Sequence, residues 1–123
     1  MVKLFGKKTK QILEKFSEEQ IILVSKGANF FGVESKSYKQ IRGNGVLILT
    51  RDQLFFQLWL PKRIIKIPLD NIIRVEKTTH HLRKIRFVDL LKVEFTNKEG
   101  EADSVAWWVK DLEQWIAKIQ ALM

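Results

Sequence analysis

Apolar and polar positions alternate along most of this chain, and the period of the alternation identifies its elements. Between Lys8 and Phe16 the residues Ile12, Leu13 and Phe16 fall at helical spacing, which predicts a short amphipathic helix. A helix of that length is marginal unless it packs on something. Ser17-Glu18-Glu19-Gln20 has capping-box spacing, yet the β-branched run Ile21-Ile22-Leu23-Val24 that follows reads as a strand, predicted over 21–33 with a break near Gly27. Ser35 to Lys39 is a polar loop. Hairpin signals then recur: Arg42-Gly43-Asn44-Gly45 reads as a tight turn into Val46–Thr50, and Arg51-Asp52 turns into Gln53–Leu60. Pro61-Lys62-Arg63 suits a hairpin tip before Ile64–Leu69, because proline cannot donate to a ladder. Asp70-Asn71 leads into Ile72–Lys77, a basic loop covers Thr78 to Phe87, and Leu90–Thr96 is the next strand. Asn97-Lys98-Glu99-Gly100 places a glycine where a bulged turn needs positive φ.

The last segment changes period. In Ser104 to Val109, Val105, Trp107 and Val109 share one face of a strand predicted over 102–109. A helix is expected from near Val109 or Lys110, with Leu112, Trp115, Ile116, Ile119 and Leu122 as its apolar stripe. Trp115 on that stripe reads as a plug for the core rather than a ligand platform. Trp107 shares the more apolar strand face, which leaves Trp108 on the surface with the N-terminal helix as its candidate cover. About seven antiparallel strands and one closing helix predict a mainly β (α+β) fold, a small partly open barrel with one end plugged, plus the short N-terminal helix.

Composition narrows the classes. The 123 residues include no cysteine, so neither a disulfide nor a catalytic thiolate is available. The apolar runs are too short to span a bilayer, and no apolar stretch follows the basic start Met1 to Lys8, so a cytoplasmic protein is expected. The net charge of +8 is uneven: residues 36–86 carry twelve Lys or Arg and three acidic residues, whereas 87–123 is net acidic, with four Lys and seven carboxylates. A basic middle of this kind is either an electrostatic footprint for phosphate or a solvated, solubilising face.

Gly45-Val46-Leu47-Ile48-Leu49-Thr50, then Leu54-Phe55-Phe56, then Ile67-Pro68-Leu69-Asp70-Asn71-Ile72 with Val75 resembles the GRAM version of the pleckstrin-homology superfold. The aromatic closing strand followed by a helix bearing Trp115-Ile116 is similar to the end of pleckstrin-homology domains. The resemblance covers about residues 20–123 and leaves 1–19 as a helical lead-in. It implies a non-enzymatic binding module that engages membranes through phosphoinositides, or engages protein partners. Members that bind phosphoinositides place a Lys/Arg-x-Arg motif in the second strand. Here Lys39 and Arg42 are separated by two residues, a spacing that sends strand side chains to opposite faces.

The candidate binding residues are therefore Lys39, Arg42, Trp59, Lys62, Arg63, Lys66, Arg74, Lys77, Arg83, Lys84 and Arg86. Alternation in strand 53–60 puts Leu54, Phe56 and Leu58 inward and Trp59 outward, beside two cations. An outward indole there is either an interfacial anchor or an aromatic covered by a neighbouring element. Adjacent His80-His81 diverge on a strand and lack a carboxylate or thiol at ligand spacing, so no metal and no cofactor is implied. The serines lack a nucleophile-elbow context, and the carboxylates Glu94, Glu99, Glu101 and Asp103 near a hairpin turn read as solvated, so catalysis is not expected. The expected partner is an anionic lipid surface, with peripheral membrane association, or a protein. A nucleic-acid-binding protein using the same charges and an oligomerising scaffold using a free strand edge are the alternatives.

Overall fold

In a computed structural model, which describes residues 10–16, 19–36, 43–59, 62–81 and 84–123 but not the side chains of 36, 80 and 84–87, the period-two segments become seven strands. They are β1 (Ile21–Val33), β2 (Gly43–Thr50), β3 (Gln53–Leu58), β4 (Arg63–Pro68), β5 (Ile72–His81), β6 (Lys84–Thr96) and β7 (Ala102–Trp108). Every pairing is antiparallel, in the order β4-β3-β2-β1-β7-β6-β5, so β4 and β5 are the two edges of one open sheet. A helical turn, α1, covers 10–13, and α2 (Leu112–Leu122) closes the chain. The mainly β architecture, the strand count and both helices are as the hydrophobic pattern predicts. No helix among the described residues is long and apolar enough to cross a membrane.

One apolar core lies inside the curve of the sheet. It takes Phe30 from β1, Leu47 and Leu49 from β2, Leu54, Phe56 and Leu58 from β3, Trp107 from β7, and Trp115 and Ile119 from α2. These are the inward positions of each alternation, and α2 supplies the stripe read from its spacing. Trp115 is 3% exposed and acts as the plug. A second, smaller cluster lies on the opposite face of β2 and β3, where Val46, Ile48, Phe55 and Trp59 pack with Ile12 and, from the turn after α1, Phe16. Phe16 meets Phe55 edge-on, with ring centroids 5.2 Å apart. Both faces of β2 and β3 are thus buried, and α1 gains the packing surface that so short a helix requires.

Four local expectations change. Gly43-Asn44-Gly45 is not a turn: the three residues belong to β2 and pair with Phe30, Asn29 and Ala28 of β1. A Cβ at Gly45 would press on the Gln57 carbonyl oxygen and come within 2.7 Å of the Phe56 ring, so glycine serves close strand approach there. The described residues of the basic segment expected as a loop over 78–87 are strand: 78–81 end β5 and 84–87 begin β6, with His80 opposite Ile85 and His81 opposite Lys84. Buried His81 anchors that arm by donating from Nε2 to the Gly32 carbonyl oxygen at 2.8 Å, which requires the Nε2-protonated tautomer. Gly32 adopts φ 110° where β1 falls out of register with β7. Third, α2 starts at Leu112 rather than at Val109 or Lys110, because Val109 is still buried in the core and Asp111 occupies the N-cap position. Last, β3 ends at Leu58 and β5 runs past Lys77, so strand ends differ from the sequence reading by a few residues.

Turn chemistry behaves as read elsewhere. Gly100 has φ 79° in the β6–β7 turn, and Asn97 Oδ1 accepts from the backbone N–H groups of Glu99 and Glu101 at 3.0 Å each. The break expected near Gly27 is a shift in the β1–β2 register between Ser25 and Ala28.

Two tests follow from this packing. Trp115→Ala should lower unfolding free energy by about 3–5 kcal/mol in urea melts, the range for large aromatic truncations in a core. An unchanged melt would rule out the plug. Gly45→Ala should cost about 1–3 kcal/mol through overpacking against backbone. Gly27→Ala, where a Cβ meets nothing within 4 Å, should be neutral or stabilise by up to about 1 kcal/mol. Equal melts for the two alanine variants would contradict the register.

Candidate functional site

Among the described cations of the basic segment, those on the two sheet edges, β5 and β4, are in different electrostatic states. On β5, Arg74 Nη2 donates to Glu94 Oε1 on neighbouring β6 at 2.6 Å, and its Nε lies 3.8 Å from Glu76 Oε2. That raises the Arg74 pKa above its ordinary value, first through the hydrogen bond to Glu94 and then through the charges of Glu76 and Glu94. Lys77 Nζ donates to Glu113 Oε1 of α2 at 3.1 Å, and its pKa is raised, chiefly by that hydrogen bond, then by the charges of Glu113 and Asp89. All of these groups are solvent-exposed enough for water and salt to screen them, so they are weak as stabilisers. They nevertheless neutralise the β5 cations locally.

On β4 the alternation sends Ile65 and Ile67 to the core, and Ile64, Lys66 and Pro68 outward. Lys62, just before the strand, and Lys66 are exposed, and neither takes part in an ion pair among the described residues. Arg63 turns inward, its guanidinium 5.3 Å from the centroid of the Phe30 ring, where it is a cation–π partner at the edge of the core. Ile64, 43% exposed, sits between the two lysines.

Trp59 is not the apolar anchor of this group. It is 5% exposed in the second cluster, so the reading in which a neighbouring element covers it holds. The element that covers it is α1 and the turn after it, which also corrects the expectation that this helix lies over Trp108. Ile64 is the residue missed at that edge, although alternation within Arg63-Ile64-Ile65-Lys66-Ile67 could have separated it from Ile65. Lys39, Arg42 and Arg83 lie outside the described residues, and Lys84 and Arg86 are placed only as backbone on β6.

The carboxylates at the other hairpin are not all solvated. Asp103 is 9% exposed, and its Oδ1 accepts from the backbone N–H groups of Ser35 at 3.0 Å and Ser104 at 2.8 Å. Its Oδ2 accepts from Ser35 Oγ at 2.6 Å, and Ser104 Oγ donates to Glu34 Oε2. The cluster ties the single turn of 3-10 helix at Glu34–Lys36 to the start of β7. It holds no imidazole or thiol, and no group of three or more metal-ligating side chains among the described residues is placed to hold an ion. Both Asp103 carboxylate oxygens and both serine hydroxyls are taken up in bonds within the cluster, which makes it a staple.

No protein-family model matches the chain, and no curated protein is similar to it in sequence. Solved structures are similar in fold. A chain of the 8S snRNP assembly intermediate aligns with a TM-score of 0.64 at 12% identity, over 87% of each chain. The C-terminal domain of an unknown protein from Leishmania infantum aligns with a TM-score of 0.63 at 13% identity, over 96% of each. At such identities the likeness concerns the fold alone.

Asp103→Ala should lower stability by about 1.5–3 kcal/mol, the loss expected when charged hydrogen bonds to buried donors are removed. Thermal and urea melts check it, and a variant as stable as the parent would show that the staple contributes nothing.

Proposed function

We propose that this chain is a non-enzymatic binding module of the GRAM and pleckstrin-homology type, and that it attaches peripherally to an anionic membrane surface through the β4 edge. The observation that carries this reading is the row Lys62, Ile64, Lys66: two exposed cations with an exposed aliphatic side chain between them, on a strand whose outer edge has no partner among the described residues. The closing helix after aromatic β7 also supports it, because that ending is part of what the sequence shares with the family it resembles. Arg74 and Lys77, each held by a carboxylate, contribute less to this surface.

The mechanism is long-range attraction followed by shallow contact. A Lys or Arg near an anionic leaflet contributes about 1 kcal/mol, so a pair of lysines holds the protein weakly, and Ile64 adds an apolar contact that salt does not screen. The Debye length of about 8 Å at physiological ionic strength makes the electrostatic part salt-sensitive.

Vesicles containing phosphatidylserine should co-sediment the protein, and neutral phosphatidylcholine vesicles should not. Lys62→Glu with Lys66→Glu should abolish the difference, whereas Ile64→Ser should remove the binding that persists as salt rises. Stronger binding to a nucleic-acid duplex than to vesicles at matched salt would transfer the function to nucleic-acid recognition. Binding to neither would mean that the basic segment serves solubility and that any partner is a protein.

A further inference from the structure

Trp59, Trp107 and Trp115 are buried, but Trp108 is 39% exposed. It stands on the wall of a surface groove of about 730 Å³ formed where β6, the end of β7 and the start of α2 meet. Val88, also exposed, and Leu112 supply apolar wall, and Asp89, Asp111 and Glu113 supply carboxylates. An indole that is costly to leave in water, set in a groove beside three carboxylates, is a surface built for a cation carried on an apolar stem.

We propose that this groove docks a Lys- or Arg-rich segment of a protein partner, with a cationic head over the Trp108 ring and its neighbours paired to Asp89 and Asp111. Charge selects this occupant. The chain as a whole is +8, and the groove lies in its net-acidic stretch, 87–123, so a cationic segment is disfavoured over the basic 36–86 segment and attracted here. An anionic membrane or nucleic acid would meet carboxylates in the groove. Lys77 holds Glu113 at 3.1 Å and feels the charge of Asp89, but neither Asp89 nor Asp111 is itself in an ion pair among the described residues, so these two are the groups to be paired. Asp111 occupies the N-cap position of α2 but makes no side-chain capping bond, so its carboxylate remains available to a ligand. Trp108 and Asp111 also line a second hollow of about 410 Å³, whose cations are Lys26 and Lys110. Those cations disfavour an incoming positive charge there and leave the groove beside Asp89 as its place.

The site is independent of the β4 edge, and one titration tests it. Trp108 is the exposed indole among the four tryptophans, so its N–H signal in the isotope-labelled full chain, assigned through Trp108→Phe, reports on the groove. The probe is a short peptide of alternating Arg and Gly, and the control carries Glu in place of Arg. The cationic peptide should shift the Trp108 indole signal and the Val88 amide saturably, and the acidic one should not. Asp89→Asn with Asp111→Asn should weaken binding about five- to tenfold, as for the loss of two exposed ion pairs, with the melting temperature unchanged. Trp108→Ala should weaken it as well, and if that variant does not fold the asparagine pair still decides. Lys62→Glu with Lys66→Glu should leave the peptide affinity intact or raise it, which separates failure here from failure of the membrane reading. No saturable shift, an equal response to the acidic peptide, or undiminished affinity in the asparagine pair would overturn the proposal.

Discussion

Three aromatic rings hold the two arms of the sheet over a common core. Phe30 of β1 stacks on Phe56 of β3 with centroids 5.3 Å apart, and Phe56 meets Trp107 of β7 at 5.6 Å. β1 is the one strand hydrogen-bonded to both arms, to β2 on one side and β7 on the other, and the rings bridge the same junction from within. The Trp107 indole N–H has no hydrogen-bond partner among the described residues, which costs about 1–3 kcal/mol. Burying some 150–250 Å² of aromatic surface at about 25 cal/mol per Å² contributes about 4–6 kcal/mol, so volume outweighs the lost hydrogen bond. The core needs the size of Trp107 more than its polarity.

Curvature around that core decides where the rest of the chemistry lies. The inner faces of all seven strands turn toward one another, α2 fills the remaining opening with Trp115 and Ile119, and the two edges are left over. The edges then differ by what packs near them. β5 runs beside β6 and α2, which bring Glu94 and Glu113 to Arg74 and Lys77. β4 pairs with β3 alone among the described residues, and Lys62 and Lys66, on its outward side, meet water. Within one net-basic segment, the described cations of β5 are thus offset by carboxylates and the exposed lysines of β4 are not.

The second cluster shows the same logic on the outer face. Val46, Ile48, Phe55 and Trp59 would form an apolar patch on β2 and β3 if nothing covered them. α1 and the turn after it close that face through Ile12 and Phe16. The cover satisfies two deficits at once, since neither an exposed apolar patch nor a short isolated helix is stable alone in water. Trp59 is therefore a structural residue, whereas Trp108 meets no such cover among the described residues and stays exposed.

Much of this was legible in the sequence because it rests on period. Alternation within Leu54-Phe55-Phe56-Gln57-Leu58 separates inward from outward positions, and the change to helical spacing after Asp111 marks the closing helix and its plug. Gly100 was legible as well, since a turn that needs positive φ advertises its glycine. What the sequence could not decide is which outward residues stay outward. Whether Trp59 meets solvent depends on α1, more than thirty residues away along the chain, and whether Arg74 or Lys66 carries free charge depends on which strand or helix packs beside it. Asp103 looked like one of several turn carboxylates until β7 brought it against Ser35. Gly45 looked like a turn glycine until the Gln57 carbonyl and the Phe56 ring closed over it. Period is a local property of the backbone and survives in one dimension; contact and charge pairing are set by residues distant in sequence, and only the folded sheet brings them together.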